Sequence, residues 1–262
     1  MQVITSKDNE IVKNIKKLKE KKHRDEKNQF LVEGAKLVAE AIEENVNIDS
    51  VVVCEDCVIN NTIDKKLMYE IAKYKCIYVT EKIFTTLTDV SNPQGIMAVI
   101  NKEKVTSGID DTQDFIVVLD GIQDPGNLGT ILRTVDAAGL NQIILSKETA
   151  DSFNPKVVRS TMGGIFRVNV IKSENIAETL KDLQNKGFEV VVTSLDTEDS
   201  VYSVNYNKKV VVIGNEANGV SKEVQELADR KVKIPMFGKA ESLNASVAAG
   251  IMIYEYVRGK MI

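Results

Sequence analysis

Phe115 to Leu119, FIVVL, is a run of five apolar residues with no polar position to turn toward water. A strand of this kind has to be covered on both faces, which demands a largely parallel sheet with helices above and below it. The following sequence repeats the demand: IIL at 143–145, FEVVVTSL at 188–195 and VVVIG at 210–214 are each strand-like, and helical stretches separate them. ENIAETLKDLQNKG, with its regular spacing and glycine stop, is one such helix. Residues 115–262 are therefore expected to form one α/β domain.

A smaller α/β unit precedes it. The pattern predicts strands at Phe30–Val32, Ile48–Cys54, Cys76–Val79 and Ile96–Ile100, with helices at Ala35–Glu44 and Asp64–Lys73, over residues 26–101. NKEKVTSGIDDTQD is polar and aperiodic and contains a glycine, so 102–114 reads as a linker. At 262 residues and 43% apolar content the chain can bury a sizeable core and could hold one large domain or two ordinary ones. It has no run of about 20 apolar residues that a membrane span would need. Its start is basic without an apolar centre, unlike a signal peptide, and three cysteines with no export signal point to the cytoplasm.

Net charge is −4, yet residues 11–24 carry seven Lys/Arg against Glu20 alone. Lys13, Lys16, Lys17, Lys19, Lys21, Lys22 and Arg24 make this segment +6, and Ile11, Ile15 and Leu18 give it a narrow apolar face. A solvated amphipathic helix is the bland reading, and a basic arm over residues 1–25 that contacts phosphates is the functional one. Cys54 and Cys57 form a CxxC near Cys76, but the sole histidine is His23, so four zinc ligands are not at hand. The pair ends an apolar strand, and packing without chemistry is the expectation.

The loops after the strands are rich in glycine and asparagine. A glycine-rich turn between strand and helix can cradle a phosphate, but neither GxGxxG nor GxxxxGK[ST] occurs, which removes the dinucleotide and P-loop readings and with them a nicotinamide oxidoreductase. What does occur is Asn127-Leu128-Gly129 with Arg133-Thr134 and Asp136-Ala137-Ala138-Gly139; then Gly214-Asn215-Glu216 with Gly219 and Ser221; then IPMFGKAESLNASVAAGIMIYE from Ile234. In the last stretch Ser242 is expected to cap a helix. Val247, Ile251 and Tyr254 recur at i, i+4, i+7, and Ala245, Ala248, Ala249 and Met252 form a flanking small-residue stripe expected to be buried.

These three segments, in this order, resemble the three signatures of the SpoU/TrmH-type RNA ribose 2′-O-methyltransferases of the SPOUT superfamily. FLVEGAKLVAEAI resembles the L30e-like substrate-binding domain that precedes the catalytic domain in many of them. The resemblance implies a C-terminal α/β domain with a deep trefoil knot, despite the general rule that chains do not thread themselves. It further implies a homodimer through that domain, S-adenosylmethionine as cofactor, no metal, and transfer of a methyl group to a ribose 2′-OH of a guanosine or uridine type. By the same likeness Asn127, Arg133, Glu216 and Asn244 line the catalytic side, and Ser194, Leu195, Gly214, Ile234, Met236, Ser242 and Leu243 hold the cofactor. Gly214 is expected to allow close backbone approach.

Arg133 is the family's proposed base, but a free guanidine is rare at neutral pH, so a phosphate clamp is physically easier; both roles stay open. The first domain's likeness to a ribosomal RNA-binding fold favours 23S rRNA as substrate. A tRNA 2′-O-methyltransferase, or a non-catalytic RNA-binding protein on the same plan, are the alternatives.

Overall fold

The apolar runs pair in two separate sheets. The computed structural model describes residues 2–60, 62–102 and 108–261, and the chain divides into Met1–Lys104 with Phe153–Phe166, and Val105–Ser152 with Arg167–Ile262. Residues 103–107 of the expected linker lie outside the described residues.

The first unit contains β1 (Val3–Ile4), α1 (Glu10–Lys17), α2 (Lys21–Lys27), β2 (Gln29–Glu33), α3 (Ala35–Glu43), β3 (Ile48–Cys54), α4 (Glu55–Ile59), α5 (Lys65–Ile71), β4 (Cys76–Val79), α6 (Glu81–Leu87) and β5 (Ile96–Asn101). Its mixed sheet runs β1-β4-β3-β5-β2, with β5 antiparallel to both neighbours. The basic segment is helical, as its apolar spacing predicts, and it docks on the first unit's core. Val12, Ile15 and Leu18 are buried in one cluster with Leu31, Val52, Phe84 and Met97, while Ile11 is exposed. Ile15 and Leu18 of the expected Ile11-Ile15-Leu18 face are thus buried as expected, and Val12 takes the place of Ile11. Arg24, nominally part of the charge run, is buried; its Nη1 donates to the carbonyls of Leu18 (2.9 Å) and Lys19 (2.6 Å) just beyond α1. A buried guanidinium is tolerated where its N–H groups find such acceptors.

Cys54, Cys57 and Cys76 are free thiols. The CxxC straddles the β3–α4 junction, so it does meet a helix start. That helix is five residues long, however, and burial raises the Cys54 thiol above its ordinary value. A Cβ on Gly95 would collide with Cys57, so the pair serves as packing at a tight turn.

The second unit is the expected α/β sheet. It comprises β6 (Phe115–Asp120), α7 (Pro125–Ala137), β7 (Gln142–Leu145), β8 (Asn169–Lys172), α9 (Ile176–Asn185), β9 (Glu189–Thr193), β10 (Lys209–Gly214), α10 (Lys222–Leu227), β11 (Arg230–Val232) and α11 (Ala245–Met261); the intervening α8 (Pro155–Ser160) belongs to the first unit. All neighbours in the order β11-β9-β10-β6-β7-β8 are parallel. Every residue of β6 is buried, as its unbroken apolar run requires. Ile116, Val118, Val190, Val192, Val210 and Val212 meet Leu180, Leu183 and Val224 from the helices on one face. On the other, Tyr256 of α11 stacks on Phe115, centroids 4.4 Å apart, and Tyr206 meets the same ring edge-on.

Helix α11 departs from expectation in two ways. Asn244, not Ser242, caps it: Asn244 Oδ1 accepts from the backbone N–H of Ser246 (2.9 Å) and Val247 (3.3 Å). Ser242 is exposed two residues upstream. The buried face is Ala245, Ala249, Met252, Ile253 and Tyr256, while Val247 and Tyr254 stay half exposed. The i, i+4, i+7 stripe of larger apolar residues therefore points away from the unit's own core.

Candidate functional site

In a parallel sheet the loops that follow the strands all emerge on one edge, and ligands collect there. Register puts Gly214 beside Asp120 and Leu119 beside Leu145, so the ends of β10, β6 and β7 lie side by side. Side chains then stitch the loops. Ser146 Oγ accepts the Gly121 N–H (2.9 Å), Asn215 Nδ2 donates to the Gly121 carbonyl (2.7 Å), and Asp120 Oδ2 accepts the Ser221 N–H (2.8 Å). Asn215 Oδ1 also accepts from Ala217 and Asn218, closing the turn that carries Glu216. Asp120, Asn215 and Ser146 did not stand out as separate residues in the sequence, although Asn215 lies inside the second motif.

Gly214 does allow a close backbone approach, and in the structure the approaching backbone is the chain's own. A Cβ there would run into the backbone of Gly219 and Val220, because the turn folds back in a two-way hydrogen bond between Asn215 and Gly219 (2.9 Å each way). The close approach is made by the chain itself. Gly219, at φ 68°, supplies the left-handed residue that the turn needs.

Three of the four catalytic candidates are joined. Asn127 Nδ2 donates to Glu216 Oε1 (2.8 Å), and Asn244 Nδ2 donates to Asn127 Oδ1 (2.9 Å), bringing residues from α7, the turn after β10 and the start of α11 into one line. The second Glu216 oxygen lies 3.5 Å from the Gln123 N–H. Both amides are thereby fixed in orientation: Asn244 cannot flip without losing either its cap or its bond to Asn127. Asp124 caps α7 by accepting the Asn127 N–H (2.8 Å), with Pro125 at the first helical position, which sets where Asn127 points.

Arg133 is on the same helix but not in that line. Six residues along a helix is about 1.7 turns, which leaves it roughly 120° around and about 9 Å along from Asn127. It is exposed, and among the described residues it has no hydrogen-bond or ion-pair partner.

The cofactor candidates flank this line. Ser194 follows β9, its N–H donating to the Val232 carbonyl (2.9 Å), and Leu195 beyond it is 70% exposed. Ile234 and Met236 are half buried, Ser242 and Leu243 exposed, along the stretch 234–243. Among the described residues no backbone–backbone hydrogen bond is made within or to that stretch. Unpaired backbone donors and acceptors alongside half-exposed aliphatic side chains suit an adenine, whose edge is polar and whose faces are not. No cluster of metal-ligating side chains occurs among the described residues.

Fold and site together define an α/β protein with its site on the carboxyl edge of a parallel sheet. Residues 114–254 match the SpoU rRNA methylase family and residues 9–98 match the MRM3-like substrate-binding domain. The chain belongs to the SpoU rRNA methylase family. It is 34% identical over 99% of its length to the complete 23S rRNA (guanosine(2553)-2′-O)-methyltransferase RlmP of Bacillus subtilis. The crystal structure of an AdoMet-bound rRNA methyltransferase from Sinorhizobium meliloti superposes with a TM-score of 0.85 at 34% identity, covering 98% of this chain and 97% of that one. An RNA 2′-O ribose methyltransferase structure superposes at 0.86 with 28% identity and full coverage of both chains.

Proposed function

We propose that this protein transfers a methyl group from S-adenosylmethionine to a ribose 2′-hydroxyl of 23S rRNA, at a guanosine as in its Bacillus relative. The carrying observation is the Glu216–Asn127–Asn244 line, with Arg133 exposed further along α7 and without a hydrogen-bond or ion-pair partner among the described residues. When bound, the cofactor supplies a sulfonium methyl carbon open to in-line displacement. Leu195, Ile234, Met236 and Leu243 would bracket its adenosine, and the free backbone groups of 234–243 would read its edge. The residues then have three tasks: to hold the ribose so that its hydroxyl oxygen faces that carbon, to let the hydroxyl proton pass to a neighbouring base or to water as the carbon–sulfur bond breaks and S-adenosylhomocysteine leaves, and to keep water from competing as the nucleophile. The Glu216 carboxylate and the two ordered amides offer acceptors and donors for a ribose. Arg133, exposed with five N–H donors, suits the adjoining phosphodiester.

The same reading includes a homodimer. Val247, Ile251 and Tyr254 leave an apolar stripe on α11 that the unit's own core does not cover, and a second copy of the helix, in the knotted C-terminal region the signatures imply, would cover it.

The test is to incubate the full chain with labelled S-adenosylmethionine and unmodified 23S rRNA, then map ribose methylation. A single site lost in Arg133→Ala is expected. Tight cofactor binding with no transfer to any rRNA would overturn the assignment.

A further inference from the structure

Arg133 and Asp136 lie three residues apart on α7, close enough for a helical ion pair. Yet Asp136 pairs elsewhere: Arg167 Nε donates to Asp136 Oδ1 (2.9 Å) and Oδ2 (3.2 Å), and Arg167 Nη2 donates to Oδ2 (2.8 Å). This fork occupies both carboxylate oxygens. It is also partly shielded, the side chains being 34% and 23% exposed. Asp136 stands in the last turn of α7, where a carboxylate faces the negative end of the helix dipole. Without a partner it would therefore seek any nearby cation, and on its own helix that cation is Arg133.

We propose that Arg167 is a positioning residue for substrate capture: by engaging Asp136 it keeps the Arg133 guanidinium unpaired for an RNA phosphate. The inference rests on the assignment of Arg133 to the substrate. Two effects set the size of what its loss would do. A surface i,i+3 pair competes for Arg133 by about twofold. An unneutralised carboxylate one helical turn from Arg133 adds a several-fold penalty for a phosphate bound there, which salt weakens.

The experiment measures methylation of unmodified 23S rRNA at low and high salt, with calorimetric S-adenosylmethionine affinity and Tm for every variant. Arg167→Ala is expected to raise KM for RNA roughly three- to tenfold, with cofactor affinity unchanged and the defect shrinking at high salt. Asp136→Asn should stay within about twofold of wild type, and the double variant Arg167→Ala/Asp136→Asn should return to that level. Should Arg167→Ala unfold, Arg167→Gln, which keeps the stem, carries the same expectations. A wild-type KM in the single variant, or a double variant no better than the single, would mean that the pair merely fastens Arg167 to α7 and would overturn the proposal. Wild-type turnover in Arg133→Ala would instead remove the reading on which it rests.

Discussion

Asn244 carries two duties on one amide, capping α11 through Oδ1 and holding Asn127 through Nδ2. Asn244→Ala should cost about 1 kcal/mol of stability as a lost cap and in addition depress turnover. Asn244→Asp keeps the capping oxygen but offers Asn127 no donor, so it should recover most of the Tm and little of the activity; recovery of both would separate Asn244 from the site. For Arg133, alanine should leave S-adenosylmethionine affinity near wild type while turnover falls, by about 10²–10⁴-fold if it assists as a base. Lysine separates the roles: activity that returns as pH rises toward about 10 marks a base, whereas activity low throughout marks a bidentate clamp. Leu243→Arg is a clean probe of the cofactor edge because Leu243 is exposed; Gly214→Val is not, since the new side chain would strike Gly219 and Val220. The residue types were legible in the motifs, but the reason for Gly214 was not, because the atoms that crowd it come from a turn whose course sequence spacing does not reveal.

Among the elements, α11 shows most plainly what periodicity can and cannot say. Its apolar content announces a helix with two apolar stripes, and both exist. The one that packs inward is the one that carries Tyr256, which stacks on Phe115, with Ala245, Ala249 and Met252 buried on the same face. The other stripe is not covered by the unit's own core, and in the proposed homodimer a second copy would cover it. Ile251→Glu should convert a dimer into a monomer in sedimentation velocity at micromolar concentration without unfolding the α/β unit; a wild-type protein that sediments as a monomer there and is fully active would refute the assembly. Segment α1–α2 departs from its charge pattern for a related reason. Charge density suggests an arm, but three apolar residues suffice to dock it, and Arg24 is consumed within the turn.

At the scale of the molecule, the basic surface and the site can be perturbed independently. Lys16, Lys17, Lys21 and Lys22 are exposed while their helices are anchored, so their joint replacement by Ala should preserve Tm and weaken RNA binding. Every phosphate that the variant no longer neutralises should flatten the log–log salt slope by about 0.7–0.9, and an unchanged slope would make this surface a bystander. Removing residues 1–105 is a poorer experiment than the sequence suggests. Val157 and Val158 of α8 are fully buried and Phe153 packs on Phe30, centroids 4.7 Å apart, so the truncation would strip the partner of a segment it leaves behind. The sequence by itself determined the α/β class, the parallel second sheet, the strand-end loops that carry the three motifs and the family to which they belong, because apolar runs and glycine-asparagine turns act over a few residues. Tertiary structure alone decided that Asn127, Glu216 and Asn244 form one line while Arg133 stands apart, that Asp136 is engaged by Arg167, and that 153–166 packs with the first unit. Those pairings join residues up to 117 positions apart, and no local preference encodes which distant side chain fills a given hydrogen bond or covers a given face.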